Sequence, residues 1–80
     1  MHLEIVTPDS KLFEGEVRLM QLPGASGSFE ILRNHASIIS ILNEGVIRVI
    51  SNEGEETTFE IGAGIVECTE NKVIILAENR

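Results

Sequence analysis

The stretch Thr57-Thr58-Phe59-Glu60-Ile61-Gly62-Ala63-Gly64-Ile65-Val66-Glu67-Cys68-Thr69-Glu70-Asn71-Lys72-Val73-Ile74-Ile75-Leu76-Ala77 decides the fold class. From Thr57 to Ile61 the side chains alternate, with Thr57, Phe59 and Ile61 predicted inward and Thr58 and Glu60 outward. Gly62-Ala63-Gly64 turns the chain into a second run, Ile65 to Thr69, in which Cys68 shares the face of Val66. Glu70-Asn71 turns it again into Lys72 to Ala77. Three short runs of period two, separated by small and turn-forming residues, read as consecutive strands.

The same grammar extends toward the amino terminus. Asn52-Glu53-Gly54-Glu55 reads as a hairpin turn, because Asn and Gly tolerate positive φ. Before it stand Val46 to Ile50, Ser37 to Leu42 and Phe29 to Leu32, broken at Asn43-Glu44-Gly45 and at Asn34-His35. Gly24-Ala25-Ser26-Gly27-Ser28 reads as a flexible loop of small residues, preceded by a strand from Glu16 to Leu22. A short run, Lys11 to Phe13, ends at Gly15, and His2 to Val6 is stopped by the Thr7-Pro8-Asp9-Ser10 turn cluster. The count is eight to ten strands with no helix of normal length. Turn signals every 8–12 residues predict an all-β, flattened antiparallel sandwich or barrel occupying residues 1–80 as one unit. Leu3, Ile5, Val17, Leu19, Phe59, Ile61, Val66 and Cys68 are expected in its core. Three runs are apolar on both faces: Ser37 to Leu42, Val46 to Ile50, and Ile74-Ile75-Leu76. Either the strands curl and bury both faces at corners, or an outer face meets another protein.

Eighty residues bury only about 60% of the surface their unfolded chain exposes, so the core is expected to be thin. One cysteine forms no internal disulfide and suits a reducing compartment. Hydrophobic residues at 42% and charged residues at 24% exclude a disordered chain. No apolar run approaches the roughly 18 residues of a membrane helix, and no direct membrane insertion is expected. Six Lys and Arg against thirteen Asp and Glu give a net charge of −7, with −2 in residues 1–40 and −5 in residues 41–80. Nucleic acids and anionic lipids require a basic patch, and stacked bases require aromatic rings. With no Trp, no Tyr and three Phe, nucleic-acid binding is excluded as a function.

Candidate chemistry is sparse. Cys68 reads as a small core hydrophobe without a basic neighbour in sequence, against the alternative of a thiol nucleophile. His2 reads as solvated, and His35, between two strands, as a structural or interface residue. Glu53, Glu55 and Glu56 surround a hairpin tip without the alternating spacing of a calcium loop. Gly24-Ala25-Ser26-Gly27 is followed by neither the lysine nor the helix of a phosphate loop. No catalytic residue, cofactor or metal is expected.

The residues also carry a family resemblance. His2-Leu3-Glu4-Ile5-Val6-Thr7-Pro8 and Leu12-Phe13-Glu14-Gly15-Glu16-Val17 resemble the opening of the epsilon subunit of F-type ATP synthases. Leu22-Pro23-Gly24-Ala25-Ser26-Gly27-Ser28-Phe29-Glu30-Ile31-Leu32 is similar to that family's loop between two strands, and Asn34-His35-Ala36 to the middle of its Pro-Gly-His-Ala-Pro motif. Gly45-Val46-Ile47-Arg48-Val49, Ile61-Gly62-Ala63-Gly64-Ile65-Val66-Glu67-Cys68 and Val73-Ile74-Ile75-Leu76-Ala77-Glu78 resemble its later strands, in the family's order. The departures are Arg33, Asn34 and Ser37 around His35, and Ala63 in place of a glycine.

The resemblance implies a non-catalytic subunit of the central stalk, at the cytoplasmic face of the bacterial inner membrane. It would join the gamma subunit to the membrane c-ring, and so couple proton transport to ATP synthesis. By resemblance, Ala25, Ser26, Gly27 and Ser28 face the c-ring, and Thr7, His35 and Ser40 face gamma. Most family members continue past the position of Arg80 into two helices; a short form and a piece of a longer chain both fit. Neither nucleotide binding nor inhibition through a helical tail is expected. The alternative reading is a small lipoyl or biotinyl carrier, with Lys72, beside the Glu70-Asn71 turn, as its attachment site.

Overall fold

The computed structural model describes residues 1–80 as eight strands and no helix. They are β1 (His2–Val6), β2 (Lys11–Gly24), β3 (Gly27–Leu32), β4 (Ile38–Leu42), β5 (Gly45–Ser51), β6 (Glu56–Ile61), β7 (Gly64–Thr69) and β8 (Lys72–Ala77). Seven of these lie where the period-two runs predict them, within a residue or two at each end. The exception is β2. Lys11–Phe13 and Glu16–Leu22 are expected as separate strands but form one strand of 14 residues. Gly15 does not break it, because it is paired opposite Leu3, and a ladder on its neighbour's edge suffices to keep a glycine extended.

This long strand serves both layers of the sandwich. Its first half pairs antiparallel with β1, and its second half pairs with β3 on one edge and β5 on the other. The first layer is the first half of β2 followed by β1, β8, β7 and β4; the second is β3, the second half of β2, β5 and β6. One bridge, Gly24 opposite Leu42, joins the end of β2 to β4 and closes the first layer into a flattened barrel. All pairings are antiparallel except β1 with β8, where the first and last strands run parallel. Sixteen buried apolar residues from both layers form one cluster.

The core differs from the sequence expectation on β2 and β6, and on β2 for a definite reason. Leu3, Ile5, Val17, Ile61, Val66 and Cys68 are buried as expected. Leu19 is only half-buried, and Met20 is fully buried in its place. Val17 faces Ser51 of β5 and Leu19 faces Ile50, so Arg18 is an extra residue, a β-bulge. One extra residue reverses which side chains point inward. Beyond the bulge Met20 and Leu22 fill the core. Phe59 is half-buried and meets the Phe13 ring edge-on, with centroids 5.7 Å apart. Thr57, expected inward, is exposed.

Turn chemistry sets the hairpins. Glu70 and Asn71 both have positive φ, 51° and 62°, as a two-residue turn between opposed Thr69 and Lys72 requires. The expected flexible loop at residues 24–28 is instead a tight hairpin, because Gly24 and Gly27 are themselves paired and only Ala25 and Ser26 bridge them. Gly24 has no room for a side chain: a Cβ there would stand 2.6 Å from the Gly27 carbonyl oxygen and 2.8 Å from the Phe29 ring. At the β5–β6 turn the Ser51 hydroxyl accepts hydrogen bonds from the amides of Glu53 (3.2 Å) and Glu55 (3.0 Å), and Gly54 supplies a φ of +92°.

Candidate interaction surfaces

The two outer faces have different chemistry, and strand register shows why. On the first layer, Ile41 stands opposite Ile65, Ile65 opposite Leu76, and Leu76 beside Val6. At about 4.8 Å per strand this row is an apolar band about 14 Å long. The adjacent row holds Ile39, Glu67, Ile74 and Glu4 in the same strand order. These side chains are in water: Ile39 is 68% exposed, Ile41 63%, Leu76 52% and Ile65 40%. Corner burial therefore does not account for the doubly apolar runs of β4 and β8. A contiguous apolar face on a small domain marks a contact surface.

The second layer's outer face is largely occupied by its own polar contacts. Arg48 lies at its centre. Its Nε donates to Gln21 Oε1 (3.1 Å) and its Nη1 to Glu56 Oε1 (3.0 Å), and its Nη2 is 3.9 Å from Glu30. The guanidinium covers the middle of β5, so Val46–Ile50 is apolar outward only toward its ends.

The first layer is bounded at one edge by charges that satisfy each other. Glu4 and Glu14 are directly opposed across β1 and β2, a repulsive placement by itself. Lys11 Nζ resolves it, 2.9 Å from Glu4 and 2.7 Å from Glu14. Those bonds, to Glu14 first and Glu4 second, raise the lysine to about 12. His2 lies 2.9 Å from Glu16 and 3.3 Å from Glu14. The Glu16 bond is the larger cause that raises the imidazole above its ordinary 6.5. In return Lys11 lowers Glu14, and His2 together with the terminal amine lowers Glu16.

The residues expected at interfaces fall into distinct places. Ala25, Ser26, Gly27 and Ser28 are all exposed at the tip of the β2–β3 hairpin, and the Ala25 amide donates to the Ile41 carbonyl at 3.0 Å. The tip is thereby fixed beside the apolar band. Thr7 is buried, and its hydroxyl donates to the Ser10 carbonyl at 3.2 Å, closing the β1–β2 turn. Ser40 is half-buried and shares the inward side of Leu42, whereas its neighbours Ile39 and Ile41 point out. His35 lies at the opposite end of the first layer from Thr7, half-buried, with Nδ1 2.7 Å from the Ala36 carbonyl oxygen. Its turn is fastened by Asn34 and Asn71: the Asn34 amide donates to Asn71 Oδ1 (2.7 Å), and Asn71 Nδ2 donates back to Asn34 Oδ1 (3.1 Å). Sequence reasoning flagged the doubly apolar runs but did not single out Ile39, Ile41, Ile65, Leu76 or Glu67. Only the register assembles them into one face.

Nothing assembles for catalysis. Cys68 is 1% exposed between Ile38 and Val73, and burial pushes its thiol up, away from the nucleophilic thiolate. No three His, Cys, Asp or Glu side chains converge on a metal-sized site. Lys72 is the first residue of β8, paired with both Thr69 and His2, whereas a carrier lysine stands at the apex of its turn.

Comparison with known proteins points in one direction. The family model described as ATP synthase, Delta/Epsilon chain, beta-sandwich domain matches residues 1–80. The ATP synthase epsilon chain of Campylobacter fetus is 40% identical over 78 residues, covering 98% of this chain and 60% of that one. That of Chlorobaculum tepidum is 38% identical over 76 residues, covering 95% of this chain and 86% of the relative. This chain thus spans about 60% of the length of the Campylobacter relative. Among solved structures, a chain of the Euglena gracilis mitochondrial ATP synthase with OSCP, F1 and c-ring superposes with a TM-score of 0.88, at 19% identity over 94% of this chain and 48% of that one. A chain of the Tetrahymena thermophila ATP synthase central stalk and c-ring superposes at 0.79, with 15% identity over 98% of this chain and 63% of that one. At those identities the superpositions establish the fold.

Proposed function

The chain belongs to the ATP synthase delta/epsilon-chain β-sandwich family, and from that premise we propose that it is a non-catalytic rotor subunit joining gamma to the membrane c-ring. In that role it transmits torque, coupling proton transport to ATP synthesis, and it works as one peripheral unit on the cytoplasmic side of a bacterial inner membrane. The observation that carries the reading is the outer face of the first layer, where Ile39, Ile41, Ile65 and Leu76 form a contiguous exposed apolar surface. This face docks gamma. His35 borders it at one end and the Thr7-Pro8 turn at the other. Thr7 and Ser40 take part by holding the backbone of the face, since the Thr7 hydroxyl is already bonded and Ser40 points inward.

The tip at Ala25, Ser26, Gly27 and Ser28 approaches the c-ring. Its four small, exposed residues allow close backbone contact, and its attachment to Ile41 ties it mechanically to the gamma-facing surface. No cofactor, nucleotide or metal takes part in this role.

Binding to a gamma-containing head complex tests the reading. The unmutated chain is expected to bind. Ile41→Asp, at a side chain 63% exposed, should abolish binding while the melting temperature stays within a few degrees. Failure of the unmutated chain to bind would refute the function, and unchanged binding of Ile41→Asp would move the docking surface to another face.

A further inference from the structure

Within the apolar face of the first layer one charge is left without a counterion. Glu67 stands on β7 directly between Ile39 of β4 and Ile74 of β8, with Ile65 two residues along its own strand. No Lys, Arg or His nitrogen lies within 4.0 Å of its carboxylate, and it accepts no side-chain hydrogen bond. Its row-mates are different: Glu4 and Glu14 share the Lys11 ammonium as an ion-pair partner. The nearest lysine along the layer, Lys72, is in the next row, opposite Thr69; it lines the same shallow hollow as Glu67 without forming an ion pair with it.

A carboxylate in this position is harmless while the face is wet. If the face is covered by a purely apolar surface, Glu67 loses its water and receives nothing in exchange, which opposes docking strongly. A surface that brings an ammonium or guanidinium to this point turns the same desolvation into a short, charge-assisted contact and rejects partners that lack one. We propose that Glu67 is the specificity-determining residue of this face: the partner that docks here presents an apolar surface bearing one Lys or Arg side chain aimed between Ile39 and Ile74. The inference rests on the reading that this face docks the gamma subunit, and adds the chemistry that subunit must supply.

The test measures dissociation constants for a gamma-containing head complex with the unmutated chain, Glu67→Gln, Glu67→Lys and, as a control, Glu55→Gln on the distant β5–β6 turn, at low and high salt. Glu67→Gln preserves shape and strand pairing, and far-ultraviolet spectra confirm that each variant is folded. Removing one member of a desolvated charge pair leaves the other unpaired, so Glu67→Gln should weaken binding at least about 30-fold. It should also flatten the salt dependence, because the screened attraction is gone. Glu67→Lys should weaken it further, and Glu55→Gln should leave it unchanged. Unchanged or tighter binding by Glu67→Gln, alongside binding by the unmutated chain, would overturn the inference and leave the docking reading standing. Absence of binding by the unmutated chain would overturn both.

Discussion

The bulge at Arg18 makes a quantitative prediction that strand periodicity alone gets backwards. Period two from Val17 places Leu19 inside; the observed register places Met20 there, fully buried, and leaves Leu19 half-exposed beside Leu32 and Ile50 on the outer face. Met20→Ala removes a long side chain from the centre of the cluster and leaves a cavity, which costs about 2–5 kcal/mol. Leu19→Ala removes a side chain that still touches water and leaves no enclosed cavity, so its cost should stay below about 1 kcal/mol. A chain of 80 residues has on the order of 4–12 kcal/mol to lose, so the first change removes a large share of its stability and the second does not. At about 4–8 °C per kcal/mol for a domain of this size, Met20→Ala should lower the melting temperature by about 10 °C or more, and Leu19→Ala by a few degrees. Urea titration followed by the far-ultraviolet signal gives both values, provided the slope with denaturant is the same for the variants. If Leu19→Ala costs as much as Met20→Ala, the parity reversal is wrong and the core is the one a regular strand would build.

Three other outcomes are expected. His2 should titrate with a midpoint above 6.5 in a nuclear magnetic resonance pH series, falling toward 6.5 in Glu16→Gln; its contribution is full below the unfolded value and disappears as pH rises through the folded one, while those of Glu14 and Glu16 are lost at the acid end, as pH falls through their lowered values. Gly24→Ala should destabilise by about 1–3 kcal/mol in a thermal melt, because its new Cβ meets backbone oxygen rather than a movable side chain; a neutral result would show that the β2–β3 hairpin opens at no cost. Cys68 should resist alkylation in the folded protein and react on unfolding, with the native rate following global opening, and fast native labelling would contradict its burial.

Seven of the eight strands were legible from local signals, because alternation and turn residues act over a few positions and reflect backbone sterics that hold in any context. Glu70-Asn71 is the clearest case: the turn is written in two residues. The order of family motifs was legible as well, and so was the presence of some outward apolar surface in β4 and β8. By contrast, the continuity of β2 through Gly15, the bulge at Arg18 and the parallel closure of β1 on β8 were not. Each depends on which distant strand supplies hydrogen-bond partners, Leu3 for Gly15, Ser51 and Ile50 for Val17 and Leu19, and Val73 for Leu3. The candidate site follows the same division. Exposed small residues at positions 25–28 could be read from sequence, but the isolation of Glu67 among Ile39, Ile65 and Ile74 could not. A side chain's surroundings in a sheet come from neighbours about 4.8 Å away across strands that are far apart along the chain, and register, set by all the pairings together, decides which residues those are.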